Sequence, residues 1–93
     1  MNNRVRVHAI ITGRVQGVFF RMETQRVARS HNVNGWVRNK ADGSVEAVFE
    51  GDEADVKAAF NWCRQGPPIS RVDDVQVFWQ DYVGEFIGFE VTY

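Results

Sequence analysis

The hydrophobic period of this chain switches between two and 3.6 in a fixed order, and that order restricts its fold more than any other feature. Val5 to Thr12 alternate, with Val5, Val7, Ala9 and Ile11 on one face and Arg6, His8, Ile10 and Thr12 on the other. Period two implies a half-buried strand. Helix formers then dominate from Arg21 to His31, where Met22, Thr24, Val27, Ala28 and His31 fall near one stripe. Asn32 is expected to end this helix as the left-handed residue of its C-terminal cap. Asn34 to Lys40 and Ser44 to Glu50 read as two strands about Ala41-Asp42-Gly43, a hairpin signal. Val45, Ala47 and Phe49 oppose Glu46, Val48 and Glu50, and Gly51 is expected to break the strand. Asp52 is the expected N-cap of a second helix, with Glu53 and Asp55 in its first turn. Val56, Ala59, Phe60 and Cys63 follow at helical spacing, and Gly66-Pro67-Pro68 stops the run. Val72 to Gln80 and Phe86 to Tyr93 are the last extended segments. Ile87, Phe89, Val91 and Tyr93 are expected to share one face.

The resulting order is β-α-β-β-α-β with an extra terminal strand. It predicts an α+β, ferredoxin-like sandwich: an antiparallel sheet with both helices packed on one face. The length of 93 residues predicts a single domain over residues 1–93.

Charge and cysteine usage narrow the function classes. The formal net charge is −1, which supplies no bulk attraction to nucleic acid or to an anionic membrane. Cys63 is the one cysteine, a usage that fits a reducing compartment, and a cytoplasmic monomer is expected. No apolar run is long enough to cross a membrane. The start Met1-Asn2-Asn3-Arg4 lacks an apolar signal core.

The stretch most suggestive of chemistry is Gly13-Arg14-Val15-Gln16-Gly17-Val18-Phe19-Phe20-Arg21. It joins the first strand to the first helix. Glycines let the backbone bend there and expose N–H groups, and the helix start adds partial positive charge. Arg21 contributes a full charge on a forked set of donors. A small anion, a phosphoryl group above all, would satisfy amides that the turn leaves without strand partners. A basic residue at a helix start also runs against the dipole, and local conflicts of this kind gather at functional sites. The plainer reading is an ordinary turn with a solvated arginine.

Asn39, at the end of the second strand, is the second candidate. Its amide offers both donor and acceptor and can hold a water in one orientation; turn chemistry is the plainer reading. His8 and His31 read as structural, with no partner at zinc-ligand spacing. Cys63 lies on an apolar stripe and reads as core rather than nucleophile. The tryptophans and phenylalanines read mostly as core or sheet-face residues.

Two of these stretches match a known family. Gly13 to Arg21 resembles the first acylphosphatase motif. Gly35-Trp36-Val37-Arg38-Asn39, continued by Asp42-Gly43-Ser44-Val45-Glu46, resembles the second. Gly66-Pro67-Pro68, followed by Val72 and Val75, is similar to the family's segment after the second helix. The resemblance covers nearly the whole chain in the right order. It implies a hydrolase that cleaves the carboxyl–phosphate anhydride of a small acyl phosphate, without metal or other cofactor. It also implies that Arg21 binds the phosphoryl group and Asn39 orients the attacking water. The backbone N–H groups of Gln16, Gly17, Val18, Phe19 and Phe20 would cradle the phosphate oxygens. Two departures stand out: His31-Asn32 where the family usually has Leu-Gly, and Lys40 where a small hydroxyl residue is common.

Two other readings share this fold. One is an RNA-binding module, for which the third strand, with Glu46 and Glu50 and one aromatic, has the wrong charge. The other is a catalytically idle accessory domain of acylphosphatase type.

Overall fold

The computed structural model describes residues 3–93. Strand β1 (Arg4–Arg14) leads into helix α1 (Phe20–Ser30). β2 (Asn34–Asn39), β3 (Val45–Asp52), α2 (Glu53–Gln65), β4 (Arg71–Gln80) and β5 (Phe89–Val91) follow. The strands form one sheet in the order β4-β1-β3-β2-β5. The core side of the sheet presents Val7, Ala9, Ile11, Val37, Val45 and Phe49, all fully buried. Against it α1 lays Phe20, Thr24, Val27 and Ala28, and α2 lays Val56, Ala59, Phe60 and Cys63. The ferredoxin-like arrangement expected from the period switches is therefore present.

One pairing departs from the antiparallel expectation. β1–β3, β1–β4 and β2–β3 are antiparallel, but β5 runs parallel to β2, with Gly35 opposite Phe89 and Val37 opposite Val91. Strand direction requires this. β1 and β2 run one way and β3 and β4 the other. The chain leaves β4 at one edge, reverses through residues 81–88, and reaches the far edge running with β2. β5 is also shorter than the sequence pattern suggests. Gly84 (φ 75°) and Gly88 (φ 78°) turn the backbone out of extension, so Ile87 and Tyr93 are exposed and only Phe89 is buried, stacked on Phe49 at 5.5 Å.

Smaller corrections have local causes. β3 continues through Gly51, which keeps its place opposite Val5 in the ladder. Asp52 occupies the N-cap of α2 but makes no capping bond; its carboxylate lies 3.9 Å from Arg4. α1 begins one residue early, and its buried stripe runs through Phe20 rather than Met22, which is exposed. Its end is as expected: Asn32 is left-handed (φ 57°), and Val33 N–H reaches Ala28 O at 2.9 Å while Asn32 N–H reaches Arg29 O at 3.2 Å. This is the two-bond closure of a Schellman cap. Asn32 thus does the work of the glycine it replaces.

Candidate active site

The β1–α1 connection is pinned by its own side chains. Val15, Val18 and Phe20 are buried in the core, while Gly17 and Phe19 face outward. With alternate side chains anchored inward, the backbone between them is held as a short curved segment. Gly17 (φ 72°) and Phe19 (φ 65°) are both left-handed. Phe19 sits at the N-cap of α1 and makes no side-chain cap. Among the described residues, the N–H groups of Gln16, Gly17, Val18, Phe19 and Phe20 donate to no protein acceptor. Five consecutive unpaired amides at the start of a helix form a concentrated donor field.

Gly13 has a different task from the one its place in the motif suggests. It lies at the bulge where β1 shifts register against β4. A Cβ at Gly13 would stand 2.1 Å from Arg71 O, so the glycine permits close strand approach rather than curvature of the loop.

Gln16 ties this connection to the β2–β3 hairpin. Its Nε2 donates to Lys40 O at 2.7 Å and to Ser44 O at 2.9 Å. The hairpin is itself closed by Lys40 N–H to Ser44 O at 2.8 Å. Asp42 Oδ1 accepts from the Ser44 hydroxyl at 2.6 Å and from its N–H at 2.9 Å, and these bonds hold the Asp42 carboxyl below its usual range. Lys40 therefore serves the site through its backbone carbonyl, which explains why a lysine can stand where a hydroxyl residue is common.

Asn39, one residue before Lys40, is brought to the rim of the loop. Its Oδ1 is buried and is the one such side-chain atom, among the described residues, without a hydrogen-bond partner. A buried unpaired acceptor costs about 1–3 kcal/mol, so a donor from water or a ligand is favoured there. Arg21, in the first turn of α1, is half-buried and sits over the Tyr93 ring at 5.0 Å. Among the described residues it has no ion-pair partner. Gly17, Phe19, Phe20, Arg21, Asn39 and Tyr93 all line one cleft of about 470 Å³. The structure thus brings Arg21 and Asn39 together across one opening, with Gly17, Phe19 and Phe20 of the loop around it.

A family model described as acylphosphatase matches residues 7–91. The chain belongs to the acylphosphatase family. A curated acylphosphatase from Pelotomaculum thermopropionicum is 52% identical over 91 residues, spanning 98% of this chain and 99% of that one. The crystal structure of acylphosphatase from Bacillus subtilis superposes with a TM-score of 0.92 at 34% identity, covering 96% of this chain and 99% of that one. The same fold recurs within a much larger protein. Full-length HypF, in its phosphate- and nucleotide-bound form, matches all of this chain with a TM-score of 0.85 and 26% identity over 12% of its own length.

Two side-chain roles around the cleft are not legible in the sequence. The sequence points to Gln16 for its backbone amide, whereas its side chain is the clasp to the hairpin, across 24 and 28 residues of sequence. Tyr93 has the pattern of a strand residue, yet its ring lies under Arg21 at the cleft. The remaining candidates lie away from the cleft. His8 Nε2 lies 2.7 Å from Glu46 on the opposite face of the sheet, and His31 Nδ1 is 3.8 Å from Asp55 at the end of α1. Cys63 is buried, and burial pushes its thiol up to about 12 although the Thr24 hydroxyl beside it pulls the other way.

Proposed function

We propose that the cleft hydrolyses acyl phosphates to a carboxylate and inorganic phosphate, with Arg21 and the amides of Gln16 to Phe20 holding the phosphoryl group and Asn39 holding the water. The observation that carries this reading is the buried, unpartnered Oδ1 of Asn39 in the same cleft as Arg21. A water donating one O–H to that oxygen presents its lone pairs elsewhere. The phosphoryl group supplies the charge that Arg21 and the free amides lack. In-line attack forms the new oxygen–phosphorus bond while the bond to the acyl oxygen breaks. The carboxylate leaves with that oxygen, and the water's proton passes to phosphate or solvent. A carboxylate is a good leaving group, so no general acid is required. Catalysis rests on position and on charge stabilisation at the equatorial oxygens. Donors fixed before the reaction perform the second task without reorganising. The guanidinium and amides supply the positive field that a metal provides elsewhere.

The proposed setting is a monomer in a reducing cytoplasm acting on a small diffusible substrate. The single buried cysteine and the net charge of −1 support that setting, with no role for nucleic acid. No helix of the described residues is long and apolar enough to cross a membrane.

The test is phosphate release from acetyl and benzoyl phosphate with EDTA present. The wild-type chain should turn both over, and Asn39→Ala should lower kcat about 10²-fold while KM changes little. An Asn39→Ala variant with undiminished kcat would remove the water-holding role. A wild-type chain that releases no phosphate from either substrate would leave the idle accessory domain as the better reading.

A further inference from the structure

The loop that offers its amides to the cleft also exposes an aromatic side chain at a costly place. Phe19 is 64% exposed and left-handed. Strain of that kind costs about 1–3 kcal/mol in a non-glycine residue, and the ring recovers little of it by burial here. Beside it Met22 is 55% exposed and Ile69 is 59% exposed. These three, with Val18, Pro67 and Pro68, line a second depression of about 490 Å³. Phe19 and Met22 line both this depression and the cleft that holds Arg21 and Asn39. The two are therefore continuous across one wall. The only charged group on the shelf is Glu23, and its Oε2 is already bonded to Arg26 Nε at 2.8 Å.

We infer that this apolar shelf receives the acyl portion of the substrate and selects uncharged, bulky acyl groups, aromatic or branched. The inference rests on the phosphoryl site proposed above. A phosphoryl group held by Arg21 and the loop amides leaves its acyl tail to project out of the cleft. The wall shared with the shelf, Phe19 and Met22, is apolar. An aromatic or branched tail laid across it covers the exposed Phe19, Met22 and Ile69 side chains and removes apolar surface from water. A short acetyl group has little apolar surface to lay on the shelf. A tail ending in a second carboxylate would meet apolar surface and the carboxylate of Glu23, and gains nothing there. The shelf is open on one side, so discrimination should be weaker than the roughly tenfold or more per methylene seen in closed pockets.

The experiment compares kcat/KM for benzoyl phosphate, acetyl phosphate and succinyl phosphate in the wild-type chain and in two variants, Ile69→Asn and Met22→Gln. Ratios between variant and wild type cancel the intrinsic reactivity of each anhydride. Ile69 is exposed in the turn after α2 and does not touch the phosphoryl cleft, so Ile69→Asn should leave acetyl phosphate hydrolysis unchanged and lower benzoyl phosphate kcat/KM about three- to tenfold, chiefly through KM. Met22→Gln keeps helix propensity and should lower the benzoyl-to-acetyl ratio in the same direction. Succinyl phosphate should be the poorest of the larger substrates in the wild type and should not fall further in either variant. An unchanged benzoyl-to-acetyl ratio in both variants would overturn the shelf while leaving the hydrolase reading intact, as would an equal fall for every substrate. A wild-type chain inactive on all three would overturn the hydrolase reading itself and the shelf with it.

Discussion

Asn39 and Arg21 occupy the same cleft but answer to different physical demands, and their variants should separate accordingly. On the proposed mechanism Arg21 supplies a full charge to a phosphoryl group that carries charge in the ground state as well as in the transition state. Arg21→Ala should therefore abolish measurable inhibition by inorganic phosphate and lower kcat/KM by about 10³-fold or more. On the proposed mechanism Asn39 meets the attacking water, whose demand arises mainly in the transition state, so its loss belongs in kcat. Equal losses of phosphate affinity in the two variants would show that they act as one unit. Arg21 was legible as a cation set against the helix dipole, whereas Asn39, an ordinary residue before a turn, stood out only through the resemblance of its stretch to the second acylphosphatase motif. Gln16 gave no such signal. Its bonds to Lys40 O and Ser44 O close a loop on a hairpin far along the chain, and only the folded sheet makes those carbonyls its neighbours. Cys63 was legible from helical spacing alone. With its thiol pushed up to about 12 by burial, it holds almost no thiolate at neutral pH. Ellman's reagent should leave it unmodified in the native protein and react fully once denaturant is added; rapid native labelling would show that α2 opens locally.

At the scale of elements, the site is a consequence of two joints. The β1–α1 joint aims amides and Arg21, and the β2–β3 joint aims Asn39. Gly13 sets the first by letting β4 approach β1 at the bulge. It is held at φ 125° with Arg71 O where a Cβ would lie. Gly13→Ala adds strain and a backbone clash together and should cost about 2–4 kcal/mol. Thermal unfolding should then shift down by roughly 10–25 °C. Gly17, where a Cβ would meet nothing within 4 Å, carries only the conformational part of that cost (φ 72°). Gly17→Ala should therefore destabilise the fold less than Gly13→Ala, and the reverse order would contradict this assignment. Element type was readable throughout because the period switches are sharp and the end of α1 is conventionally capped at Asn32, although neither helix start carries a side-chain cap. The last strand was misjudged for a reason of the same kind. Phe86 to Tyr93 alternates in hydrophobicity, but Gly84 and Gly88 take positive φ, and alternation alone does not report backbone direction. Its parallel pairing with β2 was likewise hidden, because it follows from which edge the chain reaches after β4.

At the scale of the whole molecule, the face of the sheet away from the helices holds the carboxylates of Glu46 and Glu50 in partly buried pairs. Glu50 is almost wholly buried; it accepts from Arg6 at 3.2 Å and from the N–H groups of Val83 and Gly84, and so straps residues 81–88 across the end of the sheet. Glu46 is held between His8 at 2.7 Å and Arg38 at 2.6 Å. Burial opposes its charged form, yet the hydrogen bonds from His8 and Arg38 outweigh burial, so its carboxyl sits below the usual 4.5. A carboxyl depressed on folding contributes stability that is fully present above its unfolded value and is lost as pH falls through the folded one. The loss should therefore begin below about pH 4.5 and deepen with further acidification. Glu46→Gln keeps the shape and removes the titration. It should be less stable than the wild type near neutral pH, because a neutral amide bonds Arg38 more weakly than a carboxylate does. The two melting curves should approach each other as pH is lowered from about 7 to about 3, the wild type giving up what the variant never had. A gap that stays constant over that range would mean that Glu46 is held in place by packing and not by its charge.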